Sequence, residues 1–141
     1  MVSLKEKIYA EMENIEKSLV EIKKVKDRSD KEKIVIIGIG ACLHSIYTGM
    51  ENILKQLLIH KKIKIPDINT WHKDLINLSI EQNFITKKLA DKIKNYLFFR
   101  HFFRHAYGFL IDEKELNPLM SNIFDVYSNF KKEINDYLIE I

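Results

Sequence analysis

The run Arg100-His101-Phe102-Phe103-Arg104-His105 places two guanidinium groups and two imidazoles within six residues. Elsewhere the chain uses lysine for positive charge: its 23 basic residues include only three arginines, Arg28, Arg100 and Arg104. A guanidinium offers a planar fork of donors that matches phosphate better than an ammonium does. Imidazole, with an unperturbed pKa of about 6.5, takes up and releases protons near neutrality. Phosphate-binding cations beside proton-transfer groups suit the binding or cutting of a phosphodiester.

Successive residues of a helix turn by about 100°, so His101 and His105 share a face, as do Arg100 and Arg104, while Arg100 and His105 stand about 140° apart. One straight helix therefore cannot aim Arg100 and His105 at the same phosphate. Either the helix distorts near its end, or two copies of the chain meet about a symmetry axis and build a composite cleft. Two histidines at i and i+4 also match a metal-binding pair, but the flanking arginines repel a dication, so no metal is expected. A plainer reading has the basic residues solvating a helix end and complementing its negative dipole pole. His44, His60 and His72 read as surface or satisfied core histidines. His72 stands apart because Trp71 precedes it.

The elements that hold these residues read as helices. Leu4, Ile8, Ile15, Leu19, Ile22 and Val25 recur at helical steps, placing a first helix over about Ser3 to Lys26. Asp30 is the expected N-cap of a second helix running to about His60, apolar almost all round from Ile34 to Leu43 and so central to the core. Gly38, Gly40 and Ala41 allow another helix to approach it closely. Lys61 to Asp67 reads as a loop because Pro66 breaks the pattern. Thr70 and Thr86 are expected to cap a short helix and a long one, the latter running from Lys87 to about Tyr107 and ending at Gly108. Asn117-Pro118 reads as the N-cap and first-turn proline of a last helix carrying Leu119, Ile123, Val126, Phe130, Ile134 and Tyr137. The expected fold is all-α: an up-and-down four-helix bundle with an extra short helix, one domain over residues 1–141. Tyr96, Phe98, Phe99, Phe102, Phe103, Tyr107 and Phe109 exceed what one helix buries against its neighbours, which leaves a surplus for a dimer interface.

Composition narrows the class. Four glycines and two prolines in 141 residues, with 46% hydrophobic and 30% charged, describe an ordered globular chain of long helices. The single Cys42 excludes an internal disulfide framework and fits a reducing cytoplasm. The amino-terminal residues carry no secretory pattern, and the apolar run Ile34 to Leu43 is about half the length of a membrane span, so no membrane partner is expected. Charge is segregated: Thr86 to His105 holds six basic residues against one acid, Ile111 to Ile141 seven acids against three lysines. The basic segment can draw a polyanion such as RNA. Gly-rich phosphate loops, zinc-type cysteine clusters, nucleophile elbows and dinucleotide fingerprints are absent.

Arg100-His101-x-x-x-His105-x-Tyr107 resembles the Arg, polar residue, three variable positions, His motif of the HEPN superfamily, in the extended form ending His-x-Tyr found in HepT-like ribonuclease toxins. Tyr47-Thr48-Gly49-Met50-Glu51 resembles the Tyr-x-Gly-hydrophobic-Glu segment of that family, and Trp71-His72-x-x-Leu75 its Trp-His helix opening. Phe103 to Gly108 and the start of a helix at Leu116 to Leu119 follow in order, so the likeness covers about residues 33 to 138. The resemblance implies a helical domain that dimerises, joins the motifs of both copies in one cleft and cleaves RNA without a metal or cofactor. It also implies a minimal nucleotidyltransferase antitoxin that attaches AMP to the motif tyrosine. Carried over by position, Arg100 stabilises the phosphate, His105 acts in proton transfer, Tyr107 is the modified residue and His101 fills the polar slot. The role of Arg104 as a supporting residue is not given by the likeness. The alternative function is a noncatalytic helical partner that binds substrate for a nucleotidyltransferase.

Overall fold

A computed structural model describes residues 2–105 and 110–141. Its helices are α1 (Leu4–Val25), α2 (Lys33–His60), α3 (Trp71–Glu81), α4 (Lys87–His105) and α5 (Glu113–Ile139). There is no strand among the described residues. α1, α2, α4 and α5 form a ring in which each packs on the next, α2 also reaches α5 across the middle, and short α3 lies against α2 and α4. This is the expected bundle with its additional helix. Ala106 to Phe109, including the expected terminator Gly108, lie outside the described residues.

α2 is central because its sequence is apolar almost all round from Ile34 to Leu43 and keeps an apolar face beyond it. Leu43, Ile46, Met50, Ile53 and Leu58 are fully buried, and α2 contacts every other helix. By length and composition it is also apolar enough to cross a bilayer. Its apolar side chains are instead spent on the bundle core, which they form with Ile8, Ile15, Phe84, Ile123 and Phe130.

Local chemistry sets the ends. The Ser3 hydroxyl accepts the Glu6 amide at 3.1 Å and opens α1. The Thr86 hydroxyl accepts the Leu89 amide at 3.2 Å while Glu133 on α5 receives the Thr86 amide at 2.6 Å, so α4 starts where α5 holds it. α2 and α3 close in the same way. Lys62 and Asn83 take left-handed φ of 60° and 63°, and the following amides, Ile63 and Phe84, reach back to the Leu58 and Ser79 carbonyls.

Two expected starts and one expected cap differ. α2 begins at Lys33 with Glu32 at the cap position, not Asp30. The cause is Lys31, whose buried ammonium donates to the Arg28 carbonyl at 2.9 Å and closes 28–31 into a turn. Thr70 precedes α3 as expected, but its hydroxyl donates to the Asp74 carboxylate at 3.1 Å and caps no amide. α5 starts four residues before Asn117: the Asp112 carboxylate accepts the Lys114 amide at 3.0 Å, and Pro118 sits inside the helix. Leu116, 1% exposed, belongs to the buried stripe and anchors this earlier start.

Of the glycines on α2, Gly40 and Gly49 mark close approaches and Gly38 does not. A Cβ at Gly40 would sit 2.8 Å from Ile111 Cδ1 and 3.3 Å from Phe99 Cζ. Gly38 meets nothing within 4 Å. Since glycine in an exposed helix interior costs backbone entropy, Gly38→Ala is expected to raise stability by roughly 0.5–1 kcal/mol, read as a higher urea midpoint with unchanged m-value.

Candidate functional site

His44, Tyr47 and Glu51 follow one another at i, i+3 and i+7 along α2, so one face of the most buried helix carries three polar side chains. α3 brings His72 and α4 brings Arg100 against that face. Glu51 is only 4% exposed, and its Oε2 accepts the Tyr47 hydroxyl at 2.8 Å and lies 2.6 Å from His72 Nδ1. His72 Nε2 is 3.4 Å from Arg100 Nη1. A buried carboxylate is thus stabilised by a phenol, an imidazole and, through the imidazole, a guanidinium. Burial first, then the Glu51 carboxylate, pushes the Tyr47 phenol far above its ordinary value, so Tyr47 remains a donor.

Arg100 is half-buried, and its Nε is buried without a hydrogen-bond partner among the described residues. Arg104, one turn further on, is exposed. His101 and His105 are exposed too, with ring centroids 4.6 Å apart, as their i, i+4 spacing requires. The chain therefore brings Arg100 to His72 and Glu51, and pairs His105 with His101 on another face. Tyr107 lies outside the described residues. On helical spacing His105 stands within about 20° of Phe98, which is 57% exposed, and about 60° from Phe102, which is 36% exposed. Among the described residues Tyr96 and Phe99 are core and Phe103 is partly buried, which leaves Phe98 and Phe102 of the aromatic surplus on the His105 side of the helix, while Tyr107 and Phe109 lie outside those residues.

His44 was expected to be a surface or satisfied histidine, yet its Nε2 is buried and unpartnered while the ring packs on Phe103 at 5.6 Å between centroids. Burial, then Arg100, then Arg104 hold its pKa below the usual histidine value, with Glu51 opposing. On acidification the unfolded chain protonates this imidazole at about 6.5 while the folded chain resists until a lower pH. Stability is therefore present above that value and is lost as pH falls through the window down to the folded-state pKa. A His44→Gln protein is expected to lose less stability than the parent between pH 7.5 and 5.5 in urea titrations. Burial, and secondarily Glu21, raises the pKa of the Cys42 thiol, which disfavours the nucleophilic thiolate.

His72 is a satisfied histidine, as expected, with Glu51 at Nδ1 and Arg100 at Nε2. The sequence signals were an acid, Glu51, inside an apolar helix and a histidine beside the only tryptophan. Trp71 stacks on His72 at 3.6 Å between ring centroids, and the Lys55 ammonium lies 4.1 Å from the Trp71 ring centre. No group of three or more His, Cys, Asp or Glu side chains converges as a metal set among the described residues.

Residues 38–141 match a family described as HepT-like protein. No curated protein matches the sequence. A solved structure of YutE, a cytosolic protein of unknown function from Bacillus subtilis, aligns with a TM-score of 0.77 over 95% of this chain and 90% of that one at 18% identity, a likeness of fold.

Proposed function

Since this chain belongs to the HepT-like family, we propose that it is a metal-independent endoribonuclease toxin of a toxin-antitoxin pair, working in the cytoplasm as a homodimer. The observation that carries the reading is the placement of Arg100: among the described residues its hydrogen-bond partner is His72, at Nη1, and the Nη groups of a guanidinium carry further donors suited to a phosphate. His105, on the face that also exposes Phe98 and Phe102, is the proton-transfer group. A twofold contact through those aromatics sets His105 of one copy at the interface, where a second copy can supply the opposing guanidinium. Arg104 adds positive charge, and His101 a hydrogen-bonding ring, beside the RNA.

In the reaction the 2′-oxygen attacks the adjacent phosphorus. Arg100 stabilises the charge that develops on the phosphorane oxygens, and His105 exchanges the proton. The products are a 2′,3′-cyclic phosphate and a 5′-hydroxyl. A nucleotidyltransferase antitoxin that attaches AMP to Tyr107 adds bulk and negative charge two residues from His105, which obstructs an RNA strand. No membrane partner enters this reading.

The test is incubation of the purified chain with single-stranded RNA in EDTA. Undiminished cleavage with cyclic phosphate ends is the expected result. An inert protein that binds a nucleotidyltransferase tightly would instead favour the noncatalytic partner.

A further inference from the structure

We infer that His72 is a second catalytic residue of the nuclease proposed above, the base that removes the 2′-hydroxyl proton, with Glu51 as its positioning residue. The inference rests on the nuclease reading and adds to it the group that reading leaves unnamed. In-line cleavage needs one group to take a proton from the nucleophile and another to give one to the leaving oxygen. A single His105 can supply only one of these at a time, and within one chain it stands on another face of α4 from Arg100.

The hydrogen bonds assign the His72 tautomer. A guanidinium only donates, so His72 Nε2, 3.4 Å from Arg100 Nη1, is an acceptor and carries no proton. The ring proton is therefore on Nδ1, where it is donated to Glu51 Oε2 at 2.6 Å. Glu51 is fixed in turn by the Tyr47 hydroxyl at 2.8 Å. A buried carboxylate, itself anchored, thus orients an imidazole so that its basic nitrogen faces the phosphate-binding arginine. The arrangement also supports the charge that follows proton uptake, because imidazolium at His72 would sit directly on the Glu51 carboxylate.

His72 is reachable. It lines an open, mostly apolar cleft of about 390 Å³ with Thr70, Lys73, Leu97, Phe98 and His101, and Arg100 adjoins this cleft through its contact with His72. A phosphate that engages Arg100 takes over the Nη1 hydrogen bond and uncovers the Nε2 lone pair beside the ribose. The 2′-hydroxyl proton then passes to His72 Nε2 as the 2′-oxygen bonds to phosphorus. The bond from phosphorus to the 5′-oxygen breaks, and that oxygen takes its proton from the imidazolium of a His105 supplied by the second copy. Each histidine ends in the state in which the other began, and water attack or solvent exchange resets them.

The charged and titratable groups around His72 are Tyr47, Glu51 and Lys55 from α2, Lys73 on its own helix, and Arg100 and His101 from α4. In His72→Gln, where the amide can still donate to Glu51, kcat is expected to fall about 10²–10⁴-fold with KM changed less than about threefold. The acidic limb of the kcat/KM profile, which reports a base that must be deprotonated, is expected to disappear. Glu51→Gln is expected to lower kcat less and to move that limb to lower pH, since removing the carboxylate weakens the imidazole as a base. A merely structural Glu51 would leave the limb in place. Independently of any variant, ¹⁵N NMR of the histidines in the parent protein should show His72 as the Nδ1–H tautomer.

A folded His72→Gln protein that cuts RNA within about threefold of the parent, with its acidic limb intact, overturns the inference and leaves the nuclease reading standing. An Nε2–H tautomer overturns it as well. If His72→Gln does not fold, His72→Ala with added imidazole decides: recovered cleavage supports the base role, and none overturns it. A parent protein inert toward RNA overturns both readings together.

Discussion

A His105→Ala protein is expected to fold as the parent does and to cleave RNA at least about a hundredfold more slowly. The structural half of that expectation follows from exposure. His105 lies on the solvent side of α4 and touches His101, so its removal opens no cavity and strands no buried polar group. The catalytic half follows from its being the exposed imidazole of the motif. Circular dichroism and thermal melting alongside cleavage assays separate the two, and expression of the variant should no longer arrest growth. Cleavage at the parental rate would remove His105 from the mechanism. Arg100→Ala should be equally inactive but less stable, because Arg100 donates to His72 in a buried network that loses its cation. Arg100→Lys restores charge but not the planar fork, and is expected to recover little activity.

Gly49→Val is expected to be the most damaging single change in the fold. A Cβ at Gly49 would lie 2.5 Å from Ile15 Cγ1 and 2.9 Å from Ile15 Cδ1. Ile15 is itself 2% exposed and packed among the core of α1 and α2, so it cannot turn away. Overpacking of this kind costs about 3 kcal/mol, a fall of roughly 10 °C in Tm for a chain of this size. Ile15→Ala makes room, so the double variant should be less destabilised than the sum of the two single changes. If Gly49→Val melts within about 2 °C of the parent, α1 does not seat on α2 through this contact.

The apolar periodicity of α1 and α5 carried the fold, and the all-round apolar character of Ile34 to Leu43 marked α2 as its centre. Those signals survive folding because burial rewards each of them directly. Helix ends were less legible. Asp30 and Asn117-Pro118 are good caps in isolation, but Lys31 closing onto the Arg28 carbonyl and Leu116 joining the core moved both starts. Gly49 and Ile15 are 34 residues apart in sequence, and no local pattern couples them. At the candidate site the motif residues were visible as a cluster of rare types. The joining of Tyr47 and Glu51 to His72 was not, because it links two helices and no local pattern couples Glu51 to a residue 21 positions on. The phosphate role expected of Arg100 thus came from the family resemblance and the rarity of arginine in the chain, while its contact with His72 came only from the packing of α3 and α4.

Pro118 inside α5 gives that helix a seam. Proline has no amide to offer the Lys114 carbonyl one turn back, so the opening turn is joined to the remainder by one ladder bond fewer than its neighbours. What keeps the turn wound is the Asp112 cap and the anchored Leu116 side chain. Residues 113–117 can therefore unwind as a unit while Ile123 to Leu138 stay docked. Amide hydrogens there should exchange well before those of the following turns, a local opening cheaper than global unfolding.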